Sequence, residues 1–216
     1  MKYIFLGLPT YISDRILSIC ASVFKPKGEY ASFGNASLLL SDMMALKHLI
    51  KENSHDVFYL SQFPVRGIPA LENIPPGDFD YKFIYLEYDL HDYILFKTIE
   101  QLSADVISAQ SINNYILNNT TTIKKLKDEY NVVNNFGDFD LSYLSKVNIG
   151  QCMKNKANIL AEALKLSPDN FIHAINENSP NTNPTFKSKY NISEHYFNSI
   201  SDVVLSDNTL AHILVL

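Results

Sequence analysis

Apolar positions along this chain recur in two rhythms. Residues 3–7 are a short unbroken apolar run closed by Gly7 and Pro9, the pattern of a buried strand. Directly after it, Ile12, Ile16, Ile19, Cys20 and Val23 recur at spacings of three and four and predict a helix over 12–24. Thr10 or Ser13 is placed to cap that helix, and Asp14 falls in its first turn, where a negative charge is favoured. Pro26 and Gly28 break the chain. A second stripe of Leu39, Met43, Leu46, Leu49 and Ile50 predicts a helix over 36–52. Val57 to Leu60 reads as a strand. The four prolines and two glycines of residues 64–78 read as a surface loop. The clearest strand is Tyr81 to Tyr88, ending in Asp89-Leu90-His91-Asp92.

Helices are expected next over 93–103 and 108–129. A strand is expected at Asn131 to Asn134 and a turn at Asn135 to Asp140. Met153, Ala157, Leu160 and Leu164 predict a helix over 151–166, closed by Ser167-Pro168. Phe171 to Ile175 reads as a strand, 176–185 as a loop, 193–205 as a short helix and Ala211 to Leu216 as a final strand. Strands alternating with helical segments imply βαβ units. The expected fold is therefore a single α/β domain over 1–216, a three-layer open and mainly parallel sheet flanked by helices. In such sheets ligands bind at the carboxyl ends of the strands.

Composition narrows the function. The 216 residues are 46% hydrophobic and 19% charged, a globular profile. Net charge is −5, and the densest basic run, Lys124-Lys125-Leu126-Lys127, is followed at once by Asp128 and Glu129. That is a solvated helix face, so no nucleic-acid partner is expected. The two cysteines, Cys20 and Cys152, lie far apart without a CxxC pair, which argues against a disulfide framework or a zinc knuckle. The apolar opening is too short for a signal peptide and no window reaches a membrane span, so the expected location is cytoplasmic.

The Gly7-Leu8-Pro9-Thr10 turn has one glycine and lacks an amide at Pro9, so it fits neither a P-loop nor a dinucleotide fingerprint. No cofactor and no metal is expected. Three clusters stand where an α/β enzyme places its chemistry. Thr10 and Ser13 put hydroxyls at a helix start, either as caps or with Ser13 as a nucleophile. Asn35 and Ser37 open the second helical pattern, as caps or with Asn35 donating to an oxyanion. Glu87, Asp89, His91 and Asp92 end the clearest strand, either solvated, or arranged to orient and charge the histidine or to bind a metal. Late in the chain, His195 follows a loop and is a candidate general base.

Taken in order, these segments resemble a known family. Phe5-Leu6-Gly7 with Ser13-Asp14-Arg15 comes first, then Tyr30 to Leu38, then Asp78 to Tyr85 running on to Asp89, and last His195-Tyr196-Phe197. This order is similar to the SGNH-hydrolase-like proteins of bacterial capsule and O-antigen clusters, relatives of the GDSL esterases and acyltransferases. The resemblance implies an SGNH/flavodoxin-like fold and work in cell-surface polysaccharide biosynthesis, hydrolysing or transferring an ester group on a sugar. It assigns Ser13 as nucleophile, His195 as base and Asn35 as oxyanion donor, with Thr10, Ser37, Asp89 and His91 contacting a glycan or acyl donor. The chain departs from the family where Leu8-Pro9 follows Gly7, where Gly34 stands for an arginine, and where Ile192 stands for the usual aspartate. A non-catalytic glycan- or partner-binding protein on the same fold is the alternative. A nucleotide-sugar transferase is a third reading, disfavoured by length and by the position of Asp78-Phe79-Asp80 before its strand.

Overall fold

The computed structural model describes residues 1–25, 29–33, 48, 50–61, 81–102, 107–134, 144–177 and 203–216. Its strands are β1 (Lys2–Gly7), β2 (Ala31–Phe33), β3 (Val57–Ser61), β4 (Tyr81–Glu87) and β5 (Ser145–Asn148). They form one five-stranded sheet in the order β2-β3-β1-β4-β5. Each described pairing is parallel. The helices are α1 (Tyr11–Ser22), α2 (Leu90–Gln101), α3 (Ala109–Asn118), α4 (Thr120–Asn134), α5 (Ile149–Lys154), α6 (Lys156–Leu164), α7 (Asp169–Glu177) and α8 (Asp207–Val215).

The sheet is buried on both faces, as parallel sheets are. Every residue of β3 is buried, so its sequence is apolar almost throughout rather than alternating. On one face Tyr3, Phe5, Val57, Tyr59, Ile84, Leu86 and Val147 join a single core with α1, α6 and α7. The opposite face carries Ile4, Leu6, Phe58 and Leu60, also closed off from solvent. Helices α2, α3, α4 and α8 pack on one another, and α2 also touches α1. This is the expected three-layer α/β architecture.

The central strand sets the topology. From β1 the chain moves to one side for β2 and β3, then crosses back to the other side for β4 and β5. The reversal lies between the carboxyl ends of β1 and β4. There β1 approaches β4 closely at Gly7, which has φ 149°. A Cβ at Gly7 would stand 2.9 Å from the Leu86 carbonyl oxygen.

Three expected strands are helices. Asn131 to Asn134 closes α4, with Val133 buried and its neighbour Val132 exposed. Residues 171–175 belong to α7, where Phe171 and Ala174 are buried at a spacing of three while Ile172 is exposed. Residues 211–215 belong to α8, which Ser206 caps by accepting from the Thr209 amide at 3.2 Å. In each case packing at helical spacing overrides the local preference of β-branched residues for strands. Two expected helices are divided. The 108–129 stretch splits at Asn119, and 151–166 splits at Asn155. Strands β2 and β5 lack an apolar run and were not expected. The loop at 64–78 and the turn at 135–140 lie outside the described residues, as does most of the 36–52 helix, of which 48 and 50–52 are helical; of the loop expected at 176–185, residues 176 and 177 instead close α7 and the rest lie outside the described residues. Of the helix expected at 193–205, only 203–205 are described, and they are not helical.

Candidate functional site

Two polar centres lie at the carboxyl edge of the sheet, and they differ in access. The first sits where the strand order reverses. Thr10 is the N-cap of α1, and its hydroxyl accepts from the Ser13 amide at 3.2 Å. In return the Thr10 amide donates to Ser13 Oγ at 3.2 Å, completing a capping box. Ser13 Oγ donates to the Leu8 carbonyl at 2.8 Å and lies 2.5 Å from the Tyr88 hydroxyl. Tyr88 Oη also reaches Thr10 Oγ1 at 2.6 Å. Burial, the largest cause, pushes the Tyr88 hydroxyl above its ordinary range, against the pull of its bonds to Ser13 and Thr10. Ser13 is 0% exposed. Its hydroxyl is spent on the helix start and the tyrosine, so the candidate nucleophile is enclosed and presents no atom to a substrate.

The same centre continues through buried charge. Asp14 accepts from the Tyr30 hydroxyl at 2.8 Å. Glu100 accepts from the Tyr11 amide at 2.7 Å and pairs with Lys97 at 2.6 Å. These bonds satisfy groups that would otherwise be costly inside the fold. The Tyr11–Glu100 bond ties α1 to α2 across the crevice.

The second centre is open. A cleft of about 280 Å³ lies between the first turns of α2 and α5, over the carboxyl ends of β4 and β5. Asp89 and Asp92 line it from α2, Asn148, Gln151 and Lys154 from the β5–α5 junction, and Phe96 and Met153 supply apolar wall. Asp89 stands at the N-cap position of α2 but makes no capping bond. Asn148 caps α5, its side-chain oxygen accepting from the Gln151 amide at 2.9 Å. Gly150 keeps the floor low: a Cβ there would lie 2.8 Å from Asp92 Oδ2. Burial, with Asp89 beside it, pushes the Asp92 carboxyl above its usual range, against the pull of His91 and Lys154.

Of the expected site residues, Asp89 lines this cleft, whereas Thr10 and Ser13 belong to the enclosed centre. His91 follows Asp89 in α2 but is not part of the lining; its Nε2 is buried and has no hydrogen-bond partner among the described residues. Asn35, Ser37 and His195 lie outside the described residues. Glu87 is half-buried and pairs with Lys146 at 3.6 Å. Among the described residues no three His, Cys, Asp or Glu side chains converge to hold a metal, and no helix is long and apolar enough to cross a membrane. The residues that sequence reasoning missed are Asn148, Gln151 and Lys154. Their signal was Asn148 before Ile149-Gly150-Gln151, an N-cap residue at the end of a strand too short and polar to stand out. No protein-family model, no curated protein and no solved structure matches this chain.

Proposed function

We propose that this chain binds a sugar unit in the cleft over β4 and β5, as a non-catalytic glycan-binding member of a polysaccharide-assembly system. The observation that carries this reading is the lining of that cleft. Two carboxylates, two carboxamides and an ammonium group surround a space beside Leu95, Phe96 and Met153. Hydroxyl groups of a sugar both donate and accept, which carboxylates and carboxamides answer together. The carbon face of the ring suits the apolar wall. The volume, 280 Å³, is at the small end of ligand sites and fits one unit. Binding is preferred to ester transfer because Ser13 is enclosed. A nucleophile there would require the first turn of α1 to open and to abandon its capping box.

The test is calorimetric titration of the protein with a panel of neutral and acidic mono- and disaccharides. Wild type is expected to bind at least one of them. Asp92→Asn and Gln151→Ala are each expected to weaken that binding about tenfold, the loss of one hydrogen bond to a charged or well-placed polar group. Failure of every sugar to bind overturns the proposal, as does binding that neither substitution changes.

A further inference from the structure

A second hollow, of about 570 Å³, adjoins the cleft and shares Asn148 and Gln151 with it. It runs beside β4 and β5 under α6. Lys82 lines one end and Glu87 the other. The two levels are five residues apart on β4, about 16 Å at an ordinary strand rise, and that odd spacing turns the Glu87 side chain to the face opposite Lys82. The hollow is therefore a groove at the β5 edge of the sheet, longer than one sugar unit, and it meets the cleft at Asn148, which pairs with Glu87 in the sheet, and at Gln151.

The two ends of the groove differ in charge. At the cleft end, Glu87 is answered by Lys146 at 3.6 Å. At the far end, Lys82 from β4 and Lys165 from the end of α6 both line the wall. Lys82 is held in place, since its Nζ donates to the Ala163 carbonyl at 2.5 Å in the last turn of α6. Lys165 follows that helix in the left-handed region, φ 57°. Glu162 also lines the groove but makes no ion pair with either lysine among the described residues. Burial lowers the Lys82 ammonium from the usual lysine range, and Lys165 pushes the same way. An anion set beside Lys82 and Lys165 is attracted by both ammonium groups.

We propose that the groove takes an acidic oligosaccharide, with the carboxylate of one unit between Lys82 and Lys165 and the following units passing Asn148 and Gln151 into the cleft. This rests on the sugar reading of the cleft and adds to it a chain length and a charge.

The experiment compares tetragalacturonate with its methyl ester, which has the same backbone without the charge, by calorimetry at fixed ionic strength. Wild type is expected to bind the acid about tenfold more tightly than the ester. Lys165→Gln, at an exposed position, and Lys82→Gln are each expected to weaken the acid and to bring the two affinities to within about threefold. Asp92→Asn is expected to weaken the ester, which loses a hydrogen-bonding partner in the cleft without any change in charge repulsion. Equal affinity for acid and ester in wild type overturns the groove proposal while leaving the cleft reading standing. A preference that survives both lysine substitutions overturns it as well. If neither oligomer binds, the groove proposal fails, and the cleft reading stands or falls on the mono- and disaccharide panel alone.

Discussion

At Gly7 one missing side chain lets two strands meet. With φ 149°, and with the Leu86 carbonyl oxygen and Cβ 2.9 and 3.0 Å from where its own Cβ would lie, the position excludes other residues. Gly7→Ala is expected to cost about 2–4 kcal/mol, from backbone strain and overpacking together, in urea denaturation. Ser13 is a residue whose role follows from its bonds. Removing its hydroxyl breaks one half of a capping box and leaves Tyr88 short of a partner. Ser13→Ala is expected to lose about 1–2 kcal/mol of stability and to leave sugar affinity unchanged. A Ser13→Ala protein of full stability that had lost an esterase activity would point back to the nucleophile reading. Asp92 makes a statement about pH. Its carboxyl titrates above the usual range in the folded protein, so the folded state holds that proton more tightly than the unfolded chain does. Ionised Asp92 therefore lowers stability above its folded value, and the penalty disappears as pH falls toward the unfolded value of about 3.9. Asp92→Asn is expected to be more stable than wild type at about pH 7, with the difference vanishing near about pH 3. Denaturation curves at the two pH values check this, and a variant less stable at neutral pH contradicts it.

At the scale of elements, periodicity was a good guide wherever packing and local preference agreed. Helix α1 and strands β1, β3 and β4 stand close to where their apolar patterns put them. The misplaced elements share a physical reason. Asn131 to Asn134, Phe171 to Ile175 and Ala211 to Leu216 are short apolar runs rich in β-branched and aromatic residues, and such runs do not distinguish a strand from the end of a helix. The capping residues held the missing signal. Ser206-Asp207-Asn208-Thr209 is a helix start, and so is Ser108 with Ser111, whose side chains and amides cap each other. Helix α7 gives the sharpest check on these assignments. A helix buries Phe171 with Ala174 and leaves Ile172 outside. Phe171→Ala is expected to cost about 3–5 kcal/mol and Ile172→Ala to stay within about 0.5 kcal/mol. Comparable losses at both positions would contradict the helix. The basic run at Lys124 to Lys127 acts locally too: Lys127 Nζ donates to the Ile213 and Leu214 carbonyls at 3.1 and 2.9 Å, holding the last turn of α8.

At the scale of the molecule, the α/β class was legible because the strands and helices alternate along the chain. The strand order was not, since no local pattern states which strands pair. The site was legible only in part for the same reason. Asp89 ends the most conspicuous strand and stood out in the sequence as a candidate, and it lines the open cleft. Its partners Asn148, Gln151 and Lys154 come from a strand-to-helix junction more than fifty residues away, and only the β4–β5 pairing brings them alongside. The same topology accounts for the contrast between the two polar centres. At the reversal between β1 and β4, Tyr88 fills the crevice and bonds to Ser13 and Thr10. One strand further out, the starts of α2 and α5 line a space with polar walls. The open cleft therefore lies one strand out from the reversal, toward β5.

The measurement that tests this account most directly is an amide ¹H–¹⁵N spectrum of the whole chain titrated with a sugar that binds. The account predicts shifts concentrated at Asp89, Asp92, Gly150, Gln151 and Lys154, and weakened in Asp92→Asn. Shifts centred instead on Thr10, Ser13 and Tyr88 would contradict it, showing that the enclosed centre opens and takes the ligand.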